Sequence, residues 1–428
     1  MSASTNKDSK GRPVVVVTGM GLVTSLGWGK AASWDAMAAG RSGIRQINRF
    51  PTEGLRTTIA GAVDHPAGFP GSAPALTLAM AEAAAQEALQ QAGHNQRGGF
   101  PGPLYLATPP AELEWPQRKA LNELAGLEGP VGYKRLLSAA HTGAFRSMFE
   151  MFQFSSVADH LASVIEPRGL PISVSTACAS GATAIQLGVE AIRRGETDVA
   201  LAIGTDSSVQ LEALIRFSLL SALSTRNAAP ETASRPFSKS RDGFVMAEGA
   251  GALVLETLEH ARARGATCLG VVRGCGEMAD DYHRTRSKPD GSAIIGAIRN
   301  ALSDANVAPE EIDFVNAHGT STPENDKMEF VGLRAVLGDR VAHVPVTSNK
   351  SQIGHTLIAA GSVEAVISLL TLDTGLIAPT INYDDPDPEL ALDVVANTAR
   401  AVPVRTILSN SFGFGGQNVC LVLAAEPT

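Results

Sequence analysis

Short apolar runs alternate with amphipathic stretches along this chain, a pattern that predicts strands followed by helices. Residues 14–17 predict a buried strand that enters a tight turn at Thr18-Gly19-Met20-Gly21. The alanine-rich stretch 76–92 has helical periodicity. Residues 93–129 are rich in Gly, Pro and Glu, which predicts loops or an insertion.

The same alternation continues to the end of the chain. The other predicted strands are 171–176, 198–203, 249–256, 268–272, 314–317, 344–348, 406–410 and 419–424. The other predicted helices are 181–194, 292–305 and 363–372, and a glycine-rich turn at 413–416 joins the last two strands. This order predicts an α/β fold with mainly parallel, buried sheets. It also predicts a loose tail at residues 1–13 and two pseudo-equivalent halves, 14–265 and 266–428.

Composition narrows the class of protein. Of the 428 residues, 44% are hydrophobic and 18% are charged, which is typical of a globular chain. The formal net charge of −8 argues against nucleic acid or an anionic membrane as the main partner. Four cysteines without a CxxC pair predict neither a disulfide framework nor a metal site. The polar start and the lack of an uninterrupted apolar run approaching about 18–20 residues predict a cytoplasmic protein without a membrane span.

One cysteine has a setting that suits catalysis. Cys178 lies in Ser175-Thr176-Ala177-Cys178-Ala179-Ser180-Gly181, between a predicted strand and a predicted helix. A helix N-terminus favours a thiolate, so a lowered pKa is expected there. The motif by itself fits a buried, inert cysteine equally well. The remaining cysteines are Cys268 and Cys420, in predicted strands, and Cys275, in a predicted loop.

Two histidines and a lysine follow predicted strands in the second half. His318 and His355 each adjoin a glycine at a strand end, where open α/β sheets place their ligands. A lone histidine is more often structural. Two histidines at predicted strand ends, in a chain whose Cys178 is also at a strand end, form a more specific pattern. Lys350 needs a carboxylate partner if it is buried, although a solvated lysine is the alternative. The candidate partners are Asp326, Glu329 and Glu364.

Several motifs occur together over residues 14–424. They are Thr176-Ala177-Cys178-Ala179-Ser180-Gly181, Arg235-Pro236-Phe237 with Arg241-Asp242-Gly243-Phe244, Asn316-Ala317-His318-Gly319-Thr320, Lys350 with Gly354-His355, and Asn410-Ser411-Phe412-Gly413-Phe414-Gly415-Gly416. Together they resemble the thiolase-fold condensing enzymes, specifically the elongating β-ketoacyl-acyl carrier protein synthases of type II. The resemblance implies a five-layer α-β-α-β-α architecture. Initiating synthases would have Cys-His-Asn, and a degradative thiolase would have a second catalytic cysteine where this chain has Phe414.

The resemblance implies a decarboxylative Claisen condensation that elongates an acyl chain by two carbons. Cys178 would carry the acyl group, and His318 and His355 would bind the malonyl thioester carbonyl. Lys350 would orient the site through Glu329, with Asp326 and Glu364 as further structural support. The backbone amides of Cys178 and Phe414 would form the oxyanion hole. No metal or organic cofactor is implied.

The resemblance also implies how substrates and partners bind. Thr320 and Thr322 would bind the pantetheine arm, Thr285 its phosphate, and Phe414 would gate the acyl pocket beside Phe412 and Gly413. The implied partner is an acyl carrier protein, and the implied assembly is a homodimer, with a heterodimer as the alternative.

The chain departs from the family pattern at several positions. Ser238 replaces the usual Asp, Thr108-Pro109-Pro110-Ala111 replaces a glycine-rich acyl-pocket segment, and Gly71-Ser72-Ala73-Pro74-Ala75 and Ser221 lack the usual docking cations. Arg284, Arg286 and Lys288 are the replacement candidates for docking the carrier, unless they are a solvated loop. A secondary-metabolite ketosynthase and a non-catalytic chain-length partner are the alternative functions, and the presence of Cys178 and both histidines argues against the second.

Overall fold

The computed structural model describes residues 6–68, 71–94, 99–124 and 132–425. The strands are β1 (Val15–Thr24), β2 (Gly27–Trp28), β3 (Arg45–Gln46), β4 (Ile59–Ala60), β5 (Leu104–Ala107), β6 (Ile172–Val174), β7 (Val199–Asp206), β8 (Gly249–Thr257), β9 (Gly270–Ala279), β10 (Phe314–Asn316), β11 (Pro345–Thr347), β12 (Leu376–Ile377), β13 (Asp393–Val394), β14 (Arg400–Ala401), β15 (Thr406–Phe412) and β16 (Gln417–Ala424). The α-helices are α1 (Lys30–Ala38), α2 (Ala73–Ala92), α3 (Trp115–Leu124), α4 (Tyr133–His141), α5 (Arg146–Met151), α6 (Ser156–Ile165), α7 (Ser180–Arg193), α8 (Leu211–Leu219), α9 (Leu258–Ala263), α10 (Ser292–Ala305), α11 (Pro323–Leu337), α12 (Lys350–Ile353) and α13 (Ala360–Thr374).

Two groups of strands share one topology. The first runs in the order β1-β8-β7-β5-β6 and the second in the order β9-β16-β15-β10-β11. In each group the first three strands pair antiparallel and the last three pair parallel. β1 also pairs with β9, which joins the groups into a 12-stranded sheet in the described residues. The repeated strand order confirms the two pseudo-equivalent halves.

Helices form three layers around the two groups. The central layer consists of α7 and α13, which contribute Ile185, Val189, Val363 and Val366 to one core cluster that both groups share. α2 covers the outer face of the first group, and α10 and α11 cover that of the second. The five-layer α-β-α-β-α architecture is therefore confirmed.

The predicted turn at residues 18–21 is wrong, because β1 continues through it to Thr24 with a β-bulge between Val17 and Gly19. Its glycines serve close packing. A Cβ on Gly19 would lie 2.0 Å from the carbonyl oxygen of Ala88, and one on Gly21 would lie 2.0 Å from that of Ala84. The glycines thus let β1 approach the backbone of α2.

Other local differences concern the predicted insertion, two cysteines and the tail. Of residues 93–129, the structure describes 93–94 and 99–124, which contain β5 and α3 rather than loops alone, and the rest of that prediction lies outside the described residues. Cys268 precedes β9, and Cys275 lies within it. Residues 6–13 of the predicted loose tail are held by an ion pair of 2.5 Å between Arg12 and Asp304. Lys10 also donates to the backbone oxygen of Ser303 at 2.7 Å.

One described helical segment is long and apolar enough to cross a membrane. The segment 357–374 has a mean hydropathy of 1.5 over 18 residues, which the sequence analysis overlooked. However, 83% of this segment is buried inside the structure, where it forms the central helix α13 and the turn before it. A core helix satisfies the same criteria of length and composition.

Candidate active site

A strained turn holds Cys178 between β6 and α7. Ala177 has a φ of 49°, a left-handed conformation that non-glycine residues rarely adopt. The Oγ of Ser180 donates to the carbonyl of Ala177 at 2.6 Å and accepts from the backbone N–H of Thr176 at 2.7 Å. These bonds stabilise the turn and place Cys178 two residues before the first turn of α7.

His355 reaches Cys178 through one ring nitrogen and is oriented by the other. Its Nε2 lies 3.1 Å from the Sγ of Cys178. The backbone N–H of Leu357 donates to its Nδ1 at 3.2 Å, so Nδ1 is an acceptor and the proton of the neutral ring is on Nε2. Burial, and then the charge of Lys350, hold the pKa of His355 well below its usual value. His355 is therefore a neutral hydrogen-bond donor toward the sulfur.

His318 completes the pair. Its ring centroid is 5.3 Å from that of His355, with the two planes at 86°. The Nζ of Lys350 donates to the backbone oxygen of His318 at 2.6 Å and lies 3.4 Å from its Nδ1. Burial is the main cause that holds the pKa of His318 well below its usual value, and Lys350 adds to it. Because Lys350 occupies the Nδ1 side, the Nε2 edge of the ring is left for the cavity.

The partner of Lys350 is Glu364, not Glu329. The two side chains form an ion pair and are each 2% exposed. Burial raises the pKa of Glu364 to about 7, although Lys350 opposes this shift. The pairing expected from the resemblance is therefore wrong, because α13 brings Glu364 to the lysine.

Glu329 binds the backbone of the histidine turn instead. It accepts the N–H groups of His318 at 2.8 Å and Gly319 at 2.7 Å, and the side-chain amide of Asn410 at 3.0 Å. Burial raises its pKa to about 6. Glu329 thus fixes the backbone that carries His318.

Asp326 belongs to a neighbouring network. It accepts the backbone N–H groups of Phe237 at 2.9 Å and Ser321 at 3.2 Å, and lies 3.6 Å from the Nε of Arg241. Burial raises the pKa of Asp326, and Arg241 opposes this. This carboxylate therefore joins the Arg-Pro-Phe segment to the start of α11.

The pKa of Cys178 moves opposite to the expectation. Burial raises it to about 11, whereas the backbone N–H of Phe414 and the charge of Lys350 lower it. The lowered pKa predicted from the helix position is wrong because removal of the sulfur from water outweighs these two effects. The resting sulfur is a thiol that can form a thiolate only with further stabilisation.

A cavity of about 430 Å³ connects this cluster to the surface. Its lining includes all three proposed reacting side chains and most of the predicted binding residues: Cys178, His318, His355, Thr320, Thr322, Phe412, Gly413, Phe414, Arg284, Thr285 and Arg286. Lys350 and Lys288 are outside this lining, and Lys288 pairs with Asp290 at 3.6 Å. Among the described residues, no three His, Cys, Asp or Glu side chains are placed to hold a metal ion.

The glycine-rich segment 413–416 directly contacts the loop that carries Arg284 and Arg286. The backbone N–H of Gly415 donates to the carbonyl of Arg284 at 2.7 Å, and the N–H of Asp280 donates to the carbonyl of Gly416 at 2.8 Å. Phe414 of this segment is half-buried, and its backbone N–H acts on the sulfur of Cys178. By contrast, the segment Thr108-Pro109-Pro110-Ala111 lines a separate cavity of about 30 Å³.

The sequence analysis missed Asp206. This residue ends β7, is 0% exposed, and accepts the backbone N–H groups of Ser208 at 2.7 Å and Ile358 at 3.2 Å. Burial raises its pKa to about 7. A carboxylate at the end of an apolar strand was the available signal, since this edge of the sheet also carries the other site residues.

Comparisons with known proteins agree with this geometry. The family models for the beta-ketoacyl synthase N-terminal domain and C-terminal domain match residues 12–98 with 120–261, and 269–384, respectively. The 3-oxoacyl-[acyl-carrier-protein] synthase 2 of Coxiella burnetii is 35% identical, over 96% of this chain and 98% of the relative. The tetracenomycin polyketide synthase ketoacyl synthase alpha subunit of Streptomyces glaucescens is 36% identical, over 96% of each chain.

A solved type II polyketide ketosynthase, in complex with its acyl-carrier protein, is similar throughout. It has a TM-score of 0.84 and 32% sequence identity, over 97% of this chain and all of that chain. Matches to both domain models, and to relatives along nearly the full length, lead to one conclusion. The chain belongs to the beta-ketoacyl synthase family.

Proposed function

We propose that this chain is a β-ketoacyl-acyl carrier protein synthase that elongates a carrier-bound acyl chain by two carbons. The observation that carries the proposal is the 3.1 Å contact between Cys178 and His355, with His318 adjacent, in a cavity open to the surface. A nucleophile and two neutral hydrogen-bond donors then face the same space. This intact set argues against a non-catalytic chain-length partner.

The first half-reaction is acyl transfer to Cys178. Its sulfur attacks the thioester carbonyl of the acyl carrier, and the carrier thiol leaves with the proton. The developing oxyanion accepts hydrogen bonds from the backbone amides of Cys178 and Phe414, an effect worth about 3–4 kcal/mol for one donor in other enzymes. The Nε2–H of His355 stabilises the sulfur as negative charge forms on it.

The second half-reaction uses both histidines as donors. The malonyl thioester carbonyl binds the Nε2–H groups of His318 and His355, and its carboxylate leaves as carbon dioxide. The resulting enolate carbon attacks the acyl carbonyl on Cys178, and the bond from that carbonyl to the sulfur breaks. The sulfur of Cys178 leaves as a thiolate and takes a proton from solvent. Both rings are neutral, so each stabilises the enolate oxygen by donating a hydrogen bond from Nε2–H.

The cavity lining supports the binding roles. Thr320 and Thr322, whose hydroxyls are 2.9 Å apart, are the proposed contacts of the pantetheine arm. Thr285 at the mouth is the proposed contact of its phosphate. Phe412, Gly413 and Phe414 form the wall beside Cys178, with Phe414 as the proposed gate.

The proposed partner is an acidic acyl carrier protein, docked on Arg284 and Arg286, with Lys288 at the outer side of the same loop. The first turn of α2 offers no cation, and the N–H of Ala73 is bound by Glu114 at 2.5 Å. A cytoplasmic location and a dimer are part of this proposal. Relatives of fatty-acid and polyketide type are equally similar, at 35% and 36% identity, so the proposal names the condensation common to both.

Mass spectrometry after incubation with an acyl-carrier donor tests the nucleophile. The acyl group should be found on Cys178, and Cys178→Ala should abolish acyl transfer while keeping the thermal unfolding transition of the parent. Cys275→Ala is the matched control and should acylate normally, because Cys275 lies in β9 outside the cavity lining. An adduct found only on Cys268, Cys275 or Cys420 refutes the assignment.

A further inference from the structure

The turn that orients His355 contains a strained residue. Leu357 has a φ of 48°, which is left-handed backbone, and it donates its N–H to Nδ1 of His355 at 3.2 Å. Its conformation therefore decides which ring nitrogen of His355 carries the proton. A strained turn persists only where its surroundings hold it.

The next residue along that turn is held by Asp206. The N–H of Ile358 donates to Oδ2 of Asp206 at 3.2 Å, and the N–H of Ser208 donates to Oδ1 at 2.7 Å. Asp206 is 0% exposed, and the groups that shift its pKa most are its backbone and side-chain hydrogen-bond partners and Glu248, with no cation among them. Burial of an unpaired carboxylate is costly, so its two backbone hydrogen bonds are the evident compensation.

We propose that Asp206 is a positioning residue for His355. It holds the turn at residues 356–358 so that the Leu357 N–H keeps Nδ1 an acceptor and the Nε2–H of His355 stays on the Cys178 sulfur. The chain of contacts runs from the end of β7 to the nucleophile. The proposal rests on the Cys178–His355 site but on no particular substrate.

An effect of Asp206 through its charge alone would change the reactivity of Cys178 in the opposite direction from an effect through positioning of His355. The negative charge of Asp206 raises the pKa of Cys178, as does that of Glu364, whereas Lys350 lowers it. If Asp206 acted only through its charge, Asp206→Asn would speed alkylation of Cys178. If it positions His355, the same variant slows alkylation, because the donor to the thiolate is lost.

Alkylation of Cys178 by iodoacetamide, followed across pH, distinguishes these outcomes without carrier or malonyl substrate. Asp206→Asn should react about tenfold more slowly near neutral pH, the effect of one lost hydrogen bond to a charged group, and its apparent thiol pKa should rise. Asp206→Glu, which keeps both acceptor oxygens, should recover much of the parent rate. Asp304→Asn changes a carboxylate remote from the site and should leave the profile unchanged.

A spectroscopic measurement on the parent protein does not depend on any variant at position 206. The ¹⁵N shifts of labelled histidine, assigned with His355→Gln, should show a proton on Nε2 of His355 and none on Nδ1. A proton on Nδ1 in the parent overturns the proposal, as does a folded Asp206→Asn that alkylates at the parent rate or faster. Failure of condensing activity alone would overturn the proposed function and leave these two readouts intact.

Discussion

Lys350 and Glu364 form an ion pair in which both side chains are 2% exposed. The ammonium group also donates to the backbone oxygen of His318 and lies 3.4 Å from its Nδ1. A buried ion pair contributes little net stability, because desolvation offsets the attraction. Its consequence here is geometric, because the cation holds the ring of His318 at its Nδ1 side.

Removal of one partner of this pair should be costly. Glu364→Gln leaves Lys350 without its counter-ion, and we expect a loss of about 3–5 kcal/mol in the free energy of unfolding. Urea unfolding measures this loss. The double variant Lys350→Met/Glu364→Leu should regain most of the stability yet still decarboxylate malonyl thioester slowly, because no cation then holds the Nδ1 side of the His318 ring. A double variant with full activity would contradict that role.

The histidines should separate the two half-reactions. His318→Ala should slow malonyl decarboxylation by about 10²–10³-fold, the cost of one lost donor, and leave acylation of Cys178 nearly unchanged. His355→Ala should impair both, because its Nε2 also contacts the Cys178 sulfur. Release of labelled carbon dioxide and mass spectrometry of the acyl-enzyme measure the two steps. Equal loss of both steps in a folded His318→Ala would argue against this division.

The neutral histidines predict how stability depends on pH. Burial holds the folded-state pKa of both rings well below the unfolded value near 6.5. Below pH 6.5 the unfolded chain therefore binds more protons, and stability falls as the pH falls, by up to about 1.4 kcal/mol per pH unit for each histidine. Unfolding of His318→Gln/His355→Gln between pH 6.5 and 5 should show a flatter slope than the parent. His343→Gln, at an exposed position, should keep the parent slope.

Charge reversal at the cavity mouth should weaken use of the carrier. Arg284→Glu/Arg286→Glu should slow acylation by carrier-bound substrate about tenfold at low salt, and less at high salt, because rim charges act on association. Acylation by a small pantetheine thioester should change little. Arg299→Glu/Arg334→Glu carries the same charge change at exposed positions on α10 and α11, and should behave as the parent. Unchanged carrier kinetics in the first variant would place docking elsewhere.

Local pattern was sufficient for much of the architecture. The predicted helix at 292–305 is α10 without change, and the predicted helix at 181–194 is α7 shifted by one residue. Hydrophobic periodicity and terminal glycines are local properties, so they are readable along the chain. The candidate residues Cys178 and His318 could be identified for the same reason, since each lies in the short segment after a strand, whereas His355 follows β11 only after the intervening helix α12 and was found from its motif.

Which residues pack or pair with each other could be learned only from the fold. Glycines 19 and 21 suggested a turn, but the backbone of α2 requires them inside a strand. Lys350 had three carboxylates near in sequence, and packing of α13 selected Glu364.

The sequence by itself determined the fold class and the repeated halves, and it selected Cys178, His318 and His355 as candidate site residues, because strand ends and short motifs carry that information locally. Tertiary structure alone decided that the pKa of Cys178 rises to about 11, that both histidines are neutral, and that Asp206 lies behind the turn of His355. The physical reason is that desolvation and hydrogen-bond geometry depend on residues distant in the chain, which only folding brings together.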